Sequence, residues 1–163
     1  DSKPSAGVAT HDLGLARELA KLRADIAAAA GFPVIVARHT DEKSLSFARR
    51  SDLALIAQQG PATPDHVIRT KRLPMLGRDV AAYVEGYREY FQIHEPQAKE
   101  RKTMLDPAPR VVLDPEFGLC AVGKTTQEAG IVADIYGHTM DIILRATALG
   151  GYRALPAKDI FDV

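Results

Sequence analysis

The sequence predicts an α/β domain, a small layered sheet with flanking helices. Three observations carry this. Short apolar runs fall at 33–37, 110–113 and 119–122, the first two rich in β-branched residues, as buried strands are. Longer stretches around them repeat apolar residues at helical spacing. Strands that alternate with helices pack in layers. Few strands are visible, so the sheet is small or is completed by another part of a longer chain.

Taken in order, residues 1–9 are polar and carry Pro4 and Gly7. They are expected to form a flexible arm, leaving 10–163 as a single domain. Thr10 is suited to cap a helix over 10–30, with Leu15, Leu19, Leu22 and Ile26 on one face and Gly31 at its stop. The run 33–37 follows as a buried strand. Asp41 caps a short helix to residue 49, and another covers 52–58. Gly60 and Pro61 break the chain. Residues 61–76 hold three prolines and are expected to be an ordered loop or a single helical turn. Asp79 caps a helix to residue 93, with Val80, Val84, Tyr87 and Phe91 on one side. Residues 97–101 are polar and exposed. The strands at 110–113 and 119–122 flank a turn-like Asp114-Pro115-Glu116-Phe117-Gly118. Thr125 and Glu128 form a capping box for a long helix to residue 149. That helix carries two apolar stripes, so it is expected to be packed on two sides.

Composition narrows the function classes. Of 163 residues, 46% are apolar and 26% charged, as in ordinary globular proteins. Lys plus Arg equals Asp plus Glu at 21 each, so there is no electrostatic case for nucleic acid or an anionic membrane as partner. No apolar run approaches the roughly 20 residues of a membrane span. Cys120 is the single cysteine, which excludes an internal disulfide and fits a cytoplasmic location. Its apolar neighbours make it a core residue rather than a nucleophile. The chain opens on Asp1 without Met and is expected to be an internal piece of a longer protein.

The run GLCAVGKT at 118–125 matches the phosphate-loop pattern G-x-x-x-x-G-K-[ST]. A small nucleotide-binding protein is therefore one alternative. The objection is physical. Leu119, Cys120, Ala121 and Val122 read as a strand, and a ladder would use the N–H groups that a phosphate nest needs.

The longer stretch VVLDPEFGLCAVGKT, with Glu128-Ala129 after it, resembles the C-terminal core of class II aldolases. That core has an apolar strand, Asn-His-Gly, a second apolar strand and Glu-Ala opening a long helix. The resemblance places Glu116 at the Asn and Phe117 at the zinc-binding His. A phenyl ring cannot coordinate zinc. No His-x-His pair, the family's other two ligands, occurs in the chain. The resemblance thus implies a degenerate domain with no metal and no catalytic residue of its own. Three further runs, GPATPDHVIRTK at 60–71, MLDPAPR at 104–110 and GGYRALP at 150–156, are similar to the bacterial bifunctional rhamnulose-1-phosphate aldolase/short-chain alcohol dehydrogenase family. That resemblance implies a parent enzyme of rhamnose metabolism using zinc and NAD. This segment would lie between its aldolase and dehydrogenase domains, with no cofactor inside it. Neighbouring domains and homo-oligomer contacts are the partners it implies. No G-x-G-x-x-G or G-x-x-x-G-x-G loop and no Tyr-x-x-x-Lys pair is present, so the dehydrogenase centre is not expected here.

Among polar candidates, His66 stands with Asp65, Arg69, Thr70 and Lys71 in the proline-bounded segment. His66, Arg69 and Lys71 are the candidate phosphate-binding residues, forming one wall of an active site completed elsewhere. The bland alternative is an interdomain strut of solvated charges. His11 and His39 read as surface residues, His94 as a favourable helix end, and His138 as a packed side chain. Tyr83, Tyr87, Tyr90 and Phe91 read as packing rather than a base-stacking platform.

Overall fold

The computed structural model describes residues 6–61, 67–151, 153 and 156–162. Its sheet has the order β1 (Ile35–His39), β4 (Gly118–Gly123), β3 (Val111–Asp114), β2 (Met75–Leu76). The β1–β4 and β4–β3 pairs are antiparallel, and β2 joins β3 in parallel. Around it, among the described residues, stand α1 (Ala6–Ala30), α2 (Glu42–Ala48), α3 (Leu53–Ala57), α4 (Val67–Thr70), α5 (Val80–His94), α6 (Thr126–Ala148) and α7 (Ala157–Phe161). The expected α/β class is observed.

Period-two alternation along β3 and β4 sends side chains to both faces. Val111, Leu113, Leu119 and Ala121 meet Phe47, Ile56, Val132, Tyr136, Met140 and Ile143 under α2, α3 and α6. Val112, Cys120 and Val122 face Leu22, Ile26, Val34, Met75 and Val80 under α1 and α5. The sheet is therefore the middle layer of three. Each fully buried aliphatic side chain contributes roughly 1.5–3 kcal/mol, and every residue of β3 and β4 is buried.

The caps form as their residues dictate. Asp41 accepts from the Ser44 N–H, Asp79 from the Ala82 N–H and Thr125 from the Glu128 N–H. Glu128 reaches back to accept from the Lys124 N–H at 2.8 Å. The tyrosine-rich face of α5 packs on α7, with Tyr90 and Phe91 both edge-on to Phe161.

Four expectations need correction. Thr10 does not cap α1, which already runs from Ala6 through part of the expected arm. No breaker stronger than Gly7 stands there, and one glycine costs a helix only about 1 kcal/mol. The first strand lies two residues later than expected, and it is a half-exposed edge rather than a buried strand. An apolar run reports propensity, not which side of a sheet it will take. Strand β2 was absent from the expectation, since two residues between Pro74 and Gly77 carry no period. His138 is exposed on α6, not packed. No helix among the described residues is long and apolar enough to cross a membrane.

Candidate functional site

Strand β4 has two ends, and each bears on chemistry. At its start, Asp114 pairs with Gly118 across a three-residue loop. Gly118 takes φ +76°, and a Cβ there would stand 2.4 Å from the His39 carbonyl oxygen, so only glycine fits. Asp114 accepts from the Glu116 and Phe117 N–H groups at 2.9 and 3.0 Å. Arg78 donates to both oxygens of Asp114 at 3.0 and 3.1 Å, and to Glu18 and Glu116. The loop carbonyls are held as well. Arg49 donates to Pro115 O, and Arg38 to Glu116 O and Phe117 O.

Phe117, at the position where the aldolase resemblance puts a zinc-binding His, is fully buried. The Arg78 guanidinium lies 4.1 Å from its ring centroid and that of Arg38 5.9 Å. Burial pushes the Asp114 carboxyl up, but the Arg78 bonds and the two backbone N–H groups outweigh it and hold it below the usual range. These residues do not fit zinc. The available carboxylates already face a guanidinium, and the ring offers no lone pair. No group of three or more His, Cys, Asp or Glu among the described residues is placed to hold a metal.

The phosphate-loop alternative is corrected here. Residues 118–123 form the strand between β1 and β3, with 119–121 paired on both sides. Their N–H groups lie in the sheet plane, and no nest curls around an anion. Cys120 is buried and its thiol pushed up to about 12 by burial, so it is no nucleophile at neutral pH.

The far end of β4 is different. Gly123 runs into the first turn of α6 so closely that a Cβ would sit 2.5 Å from the Ala129 nitrogen. Beside this junction is a cavity of about 200 Å³ bordered by Phe32, Ile68, Arg69, Arg110, Lys124 and Glu128. The Lys124 ammonium stands 4.4 Å from the Phe32 ring centroid, and the Arg110 guanidinium 5.9 Å.

Of the candidates read from sequence, His66 lies outside the described residues. Arg69 is exposed at the end of α4 and faces this cavity. Lys71 turns away from it. It is only 4% exposed, takes φ +60°, and donates to the Asp106 carbonyl. Its ammonium lies 3.8 Å from the Asp106 carboxylate and 4.2 Å from the Tyr87 ring centroid. Burial pushes it down to about 7; Asp106 opposes this and Arg110 adds to it. Asp106 also accepts both guanidinium nitrogens of Arg110. Burial raises its carboxyl, but Arg110 and Lys71 together hold it below the usual range. Arg110, Lys124 and Phe32 were not singled out as a set. They are distant in the sequence and share no local motif, so nothing short of the fold joins them.

Among the described residues the histidines form no metal-binding group. His11 is exposed, 3.6 Å from Glu116. His94 packs on Tyr90 and Phe161. His39 and His138 border a cleft with Asp41, Asp134 and Asp141, without three side chains placed for a metal.

Comparison with known proteins fits this fold. The family described as "Aldolase class II, second domain" matches residues 14–163. Among curated proteins the chain is similar to the uncharacterized oxidoreductase YuxG of Bacillus subtilis (strain 168). The two are 24% identical over 136 residues, 73% of this chain and 19% of that protein. The chain thus spans about a fifth of that relative's length. No solved structure matches it. With nearly all of its length matched, and with the strand, hairpin, strand and capped helix in place, the chain belongs to the aldolase class II, second domain family.

Proposed function

We propose that this domain is a metal-free structural module of a bifunctional enzyme, joining a zinc-dependent sugar-phosphate aldolase to an NAD-linked short-chain dehydrogenase in the cytoplasm. The observation that carries the reading is the closed hairpin at residues 114–118. Phe117 fills the position of a metal ligand, and Arg78 neutralises the carboxylates around it. The family's fold is retained while its Lewis acid has no seat. The similarity to an oxidoreductase, over a fraction of that protein's length, supports a parent with further domains. The three runs at 60–71, 104–110 and 150–156 support the rhamnulose-1-phosphate type in particular. On this reading the parent's zinc and NAD are held outside these residues, and the neighbouring domains are the partners. Homo-oligomer contacts belong to the same proposal.

Calorimetric titration of the protein with zinc tests the reading. The expected result is no stoichiometric, tight binding by residues 10–163. A zinc ion held by side chains of this segment would overturn it.

A further inference from the structure

We infer that the cavity at the end of β4 is a phosphate-monoester site, built by Arg69, Arg110 and Lys124. The inference goes beyond the structural role and does not rest on it.

Three cations and one carboxylate line the cavity. The carboxylate, Glu128, already accepts the Lys124 N–H in the helix cap. Arg110 borders the cavity, but both its terminal nitrogens are bonded to Asp106, which fixes the guanidinium and offsets its charge. Arg69 and Lys124 have no carboxylate within ion-pair distance among the described residues. Like charges gathered around a partly enclosed space repel one another, and an anion between them relieves this. The Arg69 guanidinium, with its paired donors, favours a tetrahedral oxyanion, and the Lys124 ammonium adds a point charge beside it.

The Lys124 and Glu128 N–H groups at the start of α6 are taken by the cap. Gly123 keeps β4 and α6 in close contact, which holds Lys124 beside the opening.

The opposite wall is apolar. The Phe32 ring lies under Lys124 and Arg110, and Ile68 stands at the rim, 64% exposed. About 200 Å³ is small against drug-sized pockets, and it suits a phosphoryl group with a short carbon chain. Inorganic phosphate shares the recognised chemistry, so the test must separate the two.

Isothermal titration of the protein with inorganic phosphate and with glycerol 3-phosphate, at constant ionic strength, provides that test. Saturable binding of both is expected, with the ester at least several-fold tighter through Phe32 and Ile68. Equal affinities would support the site and assign it to free phosphate. Arg69→Ala and Lys124→Ala are each expected to weaken binding at least about tenfold. Lys21→Ala, on exposed α1 surface, should change nothing. Both cavity side chains are exposed, so the variants should melt as the parent does in phosphate-free buffer. Absence of saturable binding of either compound overturns the inference. So does binding that survives both cavity substitutions unchanged.

Discussion

At the start of β4, Arg78 is surrounded by Asp114, Glu116 and Glu18, and an aromatic ring fills the space between sheet and helix. At its end, Arg69 and Lys124 stand beside a cavity with no such partners among the described residues. Six residues of one strand separate a place where charge is cancelled from a place where it accumulates. On the reading proposed above, a domain that has lost an active site need not be an inert scaffold. The hairpin is closed by packing and paired charge, while exposed cations stand beside the cavity at the helix entry.

The largest test of this contrast is Phe117→Ala. The ring is fully buried, with the Arg78 and Arg38 guanidinium groups 4.1 and 5.9 Å from its centroid. Its removal is expected to cost about 3–5 kcal/mol, measured by urea unfolding. A loss below about 1 kcal/mol would mean the hairpin is not the closed, packed end described here.

A second test concerns Lys71, which shares Asp106 with Arg110 behind the cavity. Its ammonium is pushed down to about 7 in the fold, against about 10.4 in an unfolded chain. Between those values the unfolded chain binds the proton and the folded chain does not. Stability is therefore expected to rise with pH above about 7, by at most about 1.4 kcal/mol per unit from this group. Cys120, pushed up by burial, works in the opposite sense near pH 9, so pH 7 to 8.5 is the clean window. Lys71→Met should remove the rise. An unchanged slope in that variant would show that the buried cation carries no such penalty.

How much of this is legible in the sequence differs between the two ends. The caps at Asp41, Asp79 and Thr125 can be read directly, because each depends on one side chain and an N–H three residues on. The hairpin can be read too, since Asp114-Pro115 and Gly118 declare a turn between two apolar runs. That Phe117 replaces a ligand follows from the resemblance, and that Arg78 covers it does not, because Arg78 comes from a loop 36 residues before Asp114. The edge position of β1 and the two-residue β2 are consequences of sheet order, which local pattern does not encode. At the cavity, Arg69 is visible as part of a charged run, whereas Lys71 in the same run turns inward once Lys71 takes a left-handed backbone. A cluster of charges in sequence says nothing about which face of the chain each will occupy.

The smallest expected effect separates the helix entry from the cavity beside it. Thr125→Ala removes the hydroxyl that accepts the Glu128 N–H at 3.1 Å. Loss of such a cap costs about 1 kcal/mol, read as a lower urea midpoint at an unchanged slope. The freed N–H group lies at an exposed helix start and is solvated by water, so α6 should remain otherwise intact. Phosphate affinity should stay within about twofold of the parent, because the cap is not itself a ligand. A fall as large as that of Lys124→Ala would place the attraction in the helix terminus instead of the side chains. The two ends of β4 would then differ in backbone geometry more than in charge.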